Sequence, residues 1–322
     1  MNRGFIGALC LGVTFALLAG CGEPQNQTAG VSAVPRSAIY NRQSAVSGIR
    51  KHPSGDDLLY ATTRSSILML SYPDGAITGT INKNRGLDLC SNASNGDVFV
   101  LAGSYIYHYT HGAKKPKNTL MEPSSLYDFQ GCAVNPSNGD IAATNTLTNN
   151  NTTKLLVFPG GSSPPQLYTD PNVRYFLFCG YDDSGNLFID GIDYSDHPIL
   201  AELPAGSGTL QDISLGVSAD GTVQWDGEHI TVENTTPPII YQLAISGSNA
   251  TVIGTTKIRN QTKTKNTPYA LTYIYDNVVI ASEGKGNRRI GYWNYPAGGK
   301  PTQVLSGLLR KNNHFLSLAV SP

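Results

Sequence analysis

One short cassette returns six times along this chain, and its spacing leaves few folds open. A β-type run follows a polar turn, a second run follows it, and an aromatic, leucine or alanine then leads into a tight hairpin. The hairpins are Tyr72-Pro73-Asp74-Gly75, Tyr109-Thr110-His111-Gly112, Phe158-Pro159-Gly160-Gly161, Leu203-Pro204-Ala205-Gly206, Ala244-Ile245-Ser246-Gly247 and Tyr295-Pro296-Ala297-Gly298. Their last glycines lie 37, 49, 45, 41 and 51 residues apart. That spacing matches one four-stranded antiparallel propeller blade of roughly 40–50 residues. The expected fold is therefore all-β: a six-bladed β-propeller spanning 38–322.

Each repeat supplies its own strands. The second strand of each blade reads Leu58–Ala61, Val98–Val100, Ile141–Ala143, Leu187–Ile189, Ile230–Val232 and Val278–Ile280. Most follow Asn-Gly, Ser-Gly or Asp turns that allow the positive φ of a tight hairpin. Third strands follow at Ile67–Leu70, Ile106–Tyr109, Leu155–Phe158, Ile199–Leu203, Ile239–Leu243 and Ile290–Trp293. The inner strand of the first blade is poorly marked around Ala45 to Arg50. The carboxyl end, Phe315 to Pro322, instead echoes Gly131 to Pro136 of the third blade. The C-terminal strand is thus expected to close the ring and remove an exposed edge.

Cys90, Cys132 and Cys179 stand 7, 8 and 7 residues before Asp97, Asp140 and Asn186, with Val223 and Tyr273 in the same inner-strand column. Small hydrophobes packed inward are the expected reading, since free cysteine is among the most buried residue types. A disulfide between neighbouring blades and a soft-metal site are the sharper alternatives. Against a disulfide, equivalent positions on adjacent blades are expected to exceed the ~7 Å Cα limit. An odd count also leaves one thiol unpaired.

Ahead of the repeats, Arg3 and the 14-residue apolar run Phe5 to Leu18 form an export signal too short for a permanent membrane span. Leu18-Ala19-Gly20-Cys21 resembles the bacterial lipobox. That resemblance implies cleavage after residue 20 and lipidation of Cys21, so residues 1–21 are a lipoprotein signal peptide. Residues 22–37, rich in Gly, Gln, Ala, Ser and Pro, read as a flexible tether. The protein is expected at the cell envelope, held in a membrane through Cys21. Gly22 fits outer-membrane or surface sorting rather than inner-membrane retention. Lys plus Arg and Asp plus Glu each total 23, so no basic excess points to nucleic acid. A monomer with an envelope protein or a small molecule as partner is the expected state.

With the blades placed, the chain resembles NHL-type propellers and, more distantly, gluconolactonase-type six-bladed propellers. The residues that carry this are Gly131 to Thr144, Cys179 to Asp190 and Asn287 to Trp293. The Asp that usually ends the second strand survives only as Asp190; Thr62, Leu101, Thr144, Glu233 and Ala281 stand at the corresponding places. The strand ends that gather around a propeller's channel mouth offer Asn145, Asp190, Glu233, Asn234 and Glu283. Asp193, Asp196 and His197 sit on the next loop. Carboxylates and amide oxygens from neighbouring blades are ligands suited to Ca²⁺ or Mg²⁺. The gluconolactonase resemblance implies a metal that polarises a lactone and activates water. Against this stands the ordinary use of Asp and Asn as strand-end turn residues. The sequence holds no Gly-x-Ser-x-Gly elbow, zinc spacing, phosphate loop or dinucleotide fingerprint. A binding or scaffold module is therefore the expected function; a metal-dependent hydrolase or lyase is the alternative.

Overall fold

The computed structural model describes residues 56–82, 86–121, 128–146, 153–259, 271–283, 286–310 and 313–322. The lipobox, Cys21, the tether and the weak segment around Ala45 to Arg50 lie outside the described residues. The described chain is all-β, with one short 3₁₀ turn at Pro159–Gly161.

In chain order the strands are β1 (Leu58–Thr63), β2 (Ser66–Ser71) and β3 (Ile77–Asn82), then β4 (Gly86–Ser91), β5 (Val98–Ala102), β6 (Tyr105–Tyr109) and β7 (Asn118–Met121). Next come β8 (Asp128–Val134), β9 (Ile141–Thr146), β10 (Lys154–Phe158) and β11 (Gln166–Tyr168). They are followed by β12 (Val173–Tyr181), β13 (Leu187–Asp193), β14 (Pro198–Leu203) and β15 (Gln211–Leu215). The chain continues with β16 (Val223–Trp225), β17 (Ile230–Thr235), β18 (Pro238–Ser246) and β19 (Asn249–Lys257). It ends with β20 (Tyr273–Tyr275), β21 (Val278–Glu283), β22 (Arg289–Asn294), β23 (Gln303–Leu305) and β24 (Phe315–Ser321). Every second and third strand expected from the repeat falls on an observed strand. Each of the six hairpins joins a third strand to a fourth. Gly75, Gly112, Gly161, Gly206, Gly247 and Gly298 all have positive φ there, the conformation that makes glycine the residue of choice at a tight corner.

These strands form four four-stranded sheets and one of eight strands. Four sheets stand alone, and the strands of the fourth and fifth expected blades share one sheet. The eight-stranded sheet runs β12-β13-β14-β15-β19-β18-β17-β16. The ladders of its halves join only where Ser214 and Leu215 run parallel to Asn249 and Ala250, although their faces also pack together. The cause is length: β18 and β19 have nine residues each, so the start of β19 reaches the outer strand of the preceding sheet. The arrangement is that of a β-propeller, with each sheet burying both faces against its neighbours.

The carboxyl-terminal strand β24 lies beside β1 as the inner strand of the first sheet, Leu58 opposite Ser321 and Ala61 opposite Leu318. Side chains fasten it to the next sheet as well. Ser91 Oγ donates to Val320 O at 2.7 Å, and Ser321 Oγ donates to Gly96 O while meeting His111 Nδ1 at 2.7 Å.

The core lies in the seams. Strand residues alternate in direction, so one sheet feeds two seams. Leu89, Val98 and Val100 pack with Tyr60, Ile67 and Met69 of the preceding sheet. Their alternates Cys90, Phe99 and Leu101 pack forward against Phe129, Cys132 and Phe158. Phe129 and Phe158 are wholly buried there; burial is worth about 1.5–3 kcal/mol for a side chain of this size.

Candidate functional site

The inner strands surround a central channel with a cavity of about 60 Å³. That is room for a few waters or the end of a small molecule. One wall carries sulfur, from Cys90, Cys132 and Cys179; the other carries Thr222, Gln224 and Thr272. Val223, Tyr273 and Leu318 also line it, so most of the expected inner-strand column does face the channel.

The column was misread at one place. Cys90 and Cys132 are joined as a disulfide, with Cα atoms 5.8 Å apart, while Cys179 is a free, buried thiol. The core-packing expectation for the first two is corrected, and the reason is register. Ser91, Val134 and Tyr181 are equivalent, opposite Val98, Ile141 and Leu187. Cys90 therefore matches Ala133 and Gly180, one residue along from Cys132 and Cys179. That single step turns Cys90 forward into the seam toward which Cys132 faces back. Cys179 faces back into the next seam, with Ala133.

The strand-end side chains have a common structural task. In three sheets a β-bulge sets two inner-strand residues against one residue of the second strand, at Thr62, Thr144 and Asp190. A bulge leaves a backbone N–H out of the ladder, and a buried N–H needs a partner. Thr62 Oγ1 accepts from Ser317 N at 3.0 Å, Thr144 Oγ1 from Gly131 N at 3.0 Å, and Asp190 Oδ1 from Phe178 N at 2.6 Å. Glu233 holds the same column one sheet later. Its Oε2 accepts from Thr222 Oγ1 at 3.0 Å and reaches the next sheet at Thr272 N, 3.1 Å, and Thr272 Oγ1, 2.9 Å.

The remaining candidates are also engaged locally. Asn145 Oδ1 accepts from Lys154 N at 2.8 Å, Asn234 Oδ1 from Thr236 N at 3.0 Å, and Glu283 pairs with Arg289 at 2.9 Å. Asp193 caps its own loop through Ser195 N and His197 N. Asp196 pairs with Arg174 at 2.8 Å, and His197 lies on the surface. Among the described residues, no three or more His, Cys, Asp or Glu side chains are grouped so as to hold a metal ion.

Two buried carboxyls nevertheless keep one oxygen unpartnered: Asp190 Oδ2 and Glu233 Oε1. Burial raises the pKa of both, and for Asp190 the nearby Asp220 and Glu233 add to the rise. Burial likewise holds the Cys179 thiol well above its usual range, helped by Asp88 and Asp190.

Asp88 is the residue the sequence did not reveal. It sits in the channel wall, accepting from Ser317 Oγ through Oδ1 and from Cys132 N through Oδ2 at 3.2 Å. Burial pushes its pKa up to about 6 against those hydrogen bonds. Aligning the repeats on the turn residues Asn92, Asn135 and Asp182 would have found it. That alignment places Asp88 level with Gly131 and Phe178, at the bulge.

No protein-family model matches the chain, and no curated protein matches it. Solved structures do. A protein of unknown function from Bacteroides caccae aligns over 83% of this chain and 99% of its own, at 10% identity and TM-score 0.60. A chain of the nidogen/laminin complex aligns over 83% and 98%, at 10% identity and TM-score 0.64. The β-propeller domain of Cps50 (Swd1) from Myceliophteria thermophila aligns over 81% and 86%, at 13% identity and TM-score 0.54. At such identities the likeness speaks for fold alone: this chain is an all-β protein of β-propeller arrangement.

Proposed function

We propose that this is an exported propeller, lipid-anchored at Cys21, that works as a binding or scaffold module at the cell envelope. We count the eight-stranded sheet as two blades that touch at the rim, which makes a ring of six in the manner of NHL-type propellers. The two-residue parallel join supports this count, because each half is otherwise a complete antiparallel blade.

One observation carries the functional reading. The strand-end column that a catalytic propeller would turn toward a ligand caps the fold here, its polar side chains satisfying backbone N–H groups, at inner-strand bulges for Thr62, Thr144 and Asp190 and at Thr222 and Thr272 for Glu233. The Cys90–Cys132 disulfide supports export, since such bonds persist in oxidising compartments. The nidogen/laminin complex is an assembly of proteins, and a protein partner is the reading we favour here.

Replacing Cys21 with Ser tests the anchor: the protein should move from the membrane to the soluble fraction, and unchanged membrane association would sink it. A pull-down from envelope extract, with a Cys21→Ser soluble form as bait, should recover a stoichiometric partner.

The alternative, a metal-assisted hydrolase or lyase, is favoured by the unpartnered oxygens of Asp190 and Glu233. Calorimetric titration with Ca²⁺, Mg²⁺ and Zn²⁺ separates the two. Heat that disappears in Asp190→Asn supports the enzyme; no heat with any of the three supports the binding module.

A further inference from the structure

The channel's sulfur wall stands apart from the rest of the inner ring. The disulfide bridges two sheets whose seam is already filled by Phe99, Leu101, Phe129 and Phe158. It links one seam among several, on the innermost strands, and it opens on a cavity instead of sealing a rim. Cys90 and Cys132 each keep 8% exposure, and the cavity they line also receives the Cys179 thiol and the Asp88 carboxyl. Asp88 is tied to Cys132 itself, through that residue's N–H.

We propose that this wall is a thiol–disulfide exchange site for small dithiols, with Asp88 as the proton source for the departing sulfur. The cavity admits the end of a small reagent and excludes a protein chain, which fixes the substrate class by size. A reagent thiolate attacks Cys90 Sγ. The Cys90–Cys132 bond breaks, its electron pair goes to Cys132 Sγ, and Asp88 supplies the proton to that sulfur. The reagent's second thiolate then displaces Cys90 from the mixed disulfide, and solvent protons restore Asp88 and protonate Cys90. The reagent leaves as a cyclic disulfide: two electrons pass from it to the protein, which gains two thiols. Cys179 takes no part, because burial keeps it protonated and the thiolate is the attacking form.

The titratable groups lining the channel among the described residues are Asp88, Cys179 and Tyr273. Burial raises Cys179 and Tyr273 above their already high ordinary values, which leaves Asp88 as the lining group that changes charge near pH 6; Asp190 and Glu233, also raised by burial, stand behind the wall and outside the lining. The protonated form of Asp88 serves the reaction. The rate, divided by the reagent's thiolate fraction, should therefore fall as pH rises through about 6, by about tenfold from pH 5 to pH 7 for a single group titrating there.

The test is reduction of the folded protein by dithiothreitol without denaturant, with new thiols counted by alkylation and mass spectrometry. Two thiols should appear while the near-UV spectrum stays native, and they should disappear on reoxidation. The normalised pH profile should flatten in Asp88→Asn. In Ser317→Ala, which removes a hydrogen bond that favours the carboxylate, its midpoint should move up. Reduction that tracks global unfolding, accelerating with urea and absent without it, would overturn the exchange site and leave a structural cross-link. Native-state reduction whose pH profile is unchanged in both variants would overturn the role of Asp88.

Discussion

Reducing the Cys90–Cys132 bond removes a cross-link between two neighbouring sheets without changing any side chain's size. The bonded residues are 42 positions apart in sequence. Closing a loop of that length in the unfolded chain is worth about 4 kcal/mol at 25 °C on the chain-entropy account. In a domain of this size that corresponds to a fall in Tm of about 8 °C, taking about 2 °C per kcal/mol. Urea unfolding of oxidised and reduced wild-type protein, followed by far-UV circular dichroism, reads the difference. The Cys90→Ala/Cys132→Ala variant should match the reduced protein, apart from the packing lost with two small side chains. Cys90→Ala alone should form no new internal disulfide, because Cys132 and Cys179 face different seams. Oxidised and reduced proteins equal within 1 kcal/mol would refute the reasoning. So would a Cys132–Cys179 bond in the single variant.

Three further outcomes follow from the same geometry. Asp88 binds its proton more tightly folded than unfolded, so unfolding releases it. Asp88 should make stability fall as pH rises from about 4 to about 6, its share being roughly 3 kcal/mol; urea titrations across that range should show a slope in wild type that is smaller by that share in Asp88→Asn. Asp190→Asn should cost little, since the amide oxygen still caps Phe178 N. Asp190→Ala should cost about 1–3 kcal/mol by orphaning that N–H, and the reverse order in urea midpoints would contradict the capping role. Ser321→Ala removes the hydroxyl between Gly96 O and His111; a loss of about 1–2 kcal/mol is expected, read from the thermal midpoint.

The strands and hairpins were legible because each depends on local chemistry: β-branched and aromatic runs, turn residues before the second strand, and a glycine at positive φ after the third. Ring closure was legible too, since β24 repeats an inner strand's pattern. Seam geometry was harder to read. Cys90 stands one residue nearer its turn than Cys132 does, which moves it from the backward to the forward face, and a turn one residue shorter before Leu187 hides that step when spacing is measured to Asp97 and Asn186. The strand-end column could be placed by the repeat, but the caps it makes could not be read from it. A bulge in the inner strand decides whether Asp190 faces a ligand or caps Phe178 N, and a bulge depends on pairing between strands, which no local pattern records. The join of β15 to β19 escaped for the same reason, being set by how far two long strands extend.

Native-state hydrogen exchange resolved at β24 tests the closed ring most directly. With β24 paired to β1 and fastened to the next sheet, the amides of Leu318 to Val320 should exchange as slowly as those of the buried strand β5, both through opening of the whole domain. Exchange at β24 as fast as in the exposed hairpins, with β5 still protected, would show a ring left open at its C-terminal strand and contradict the account.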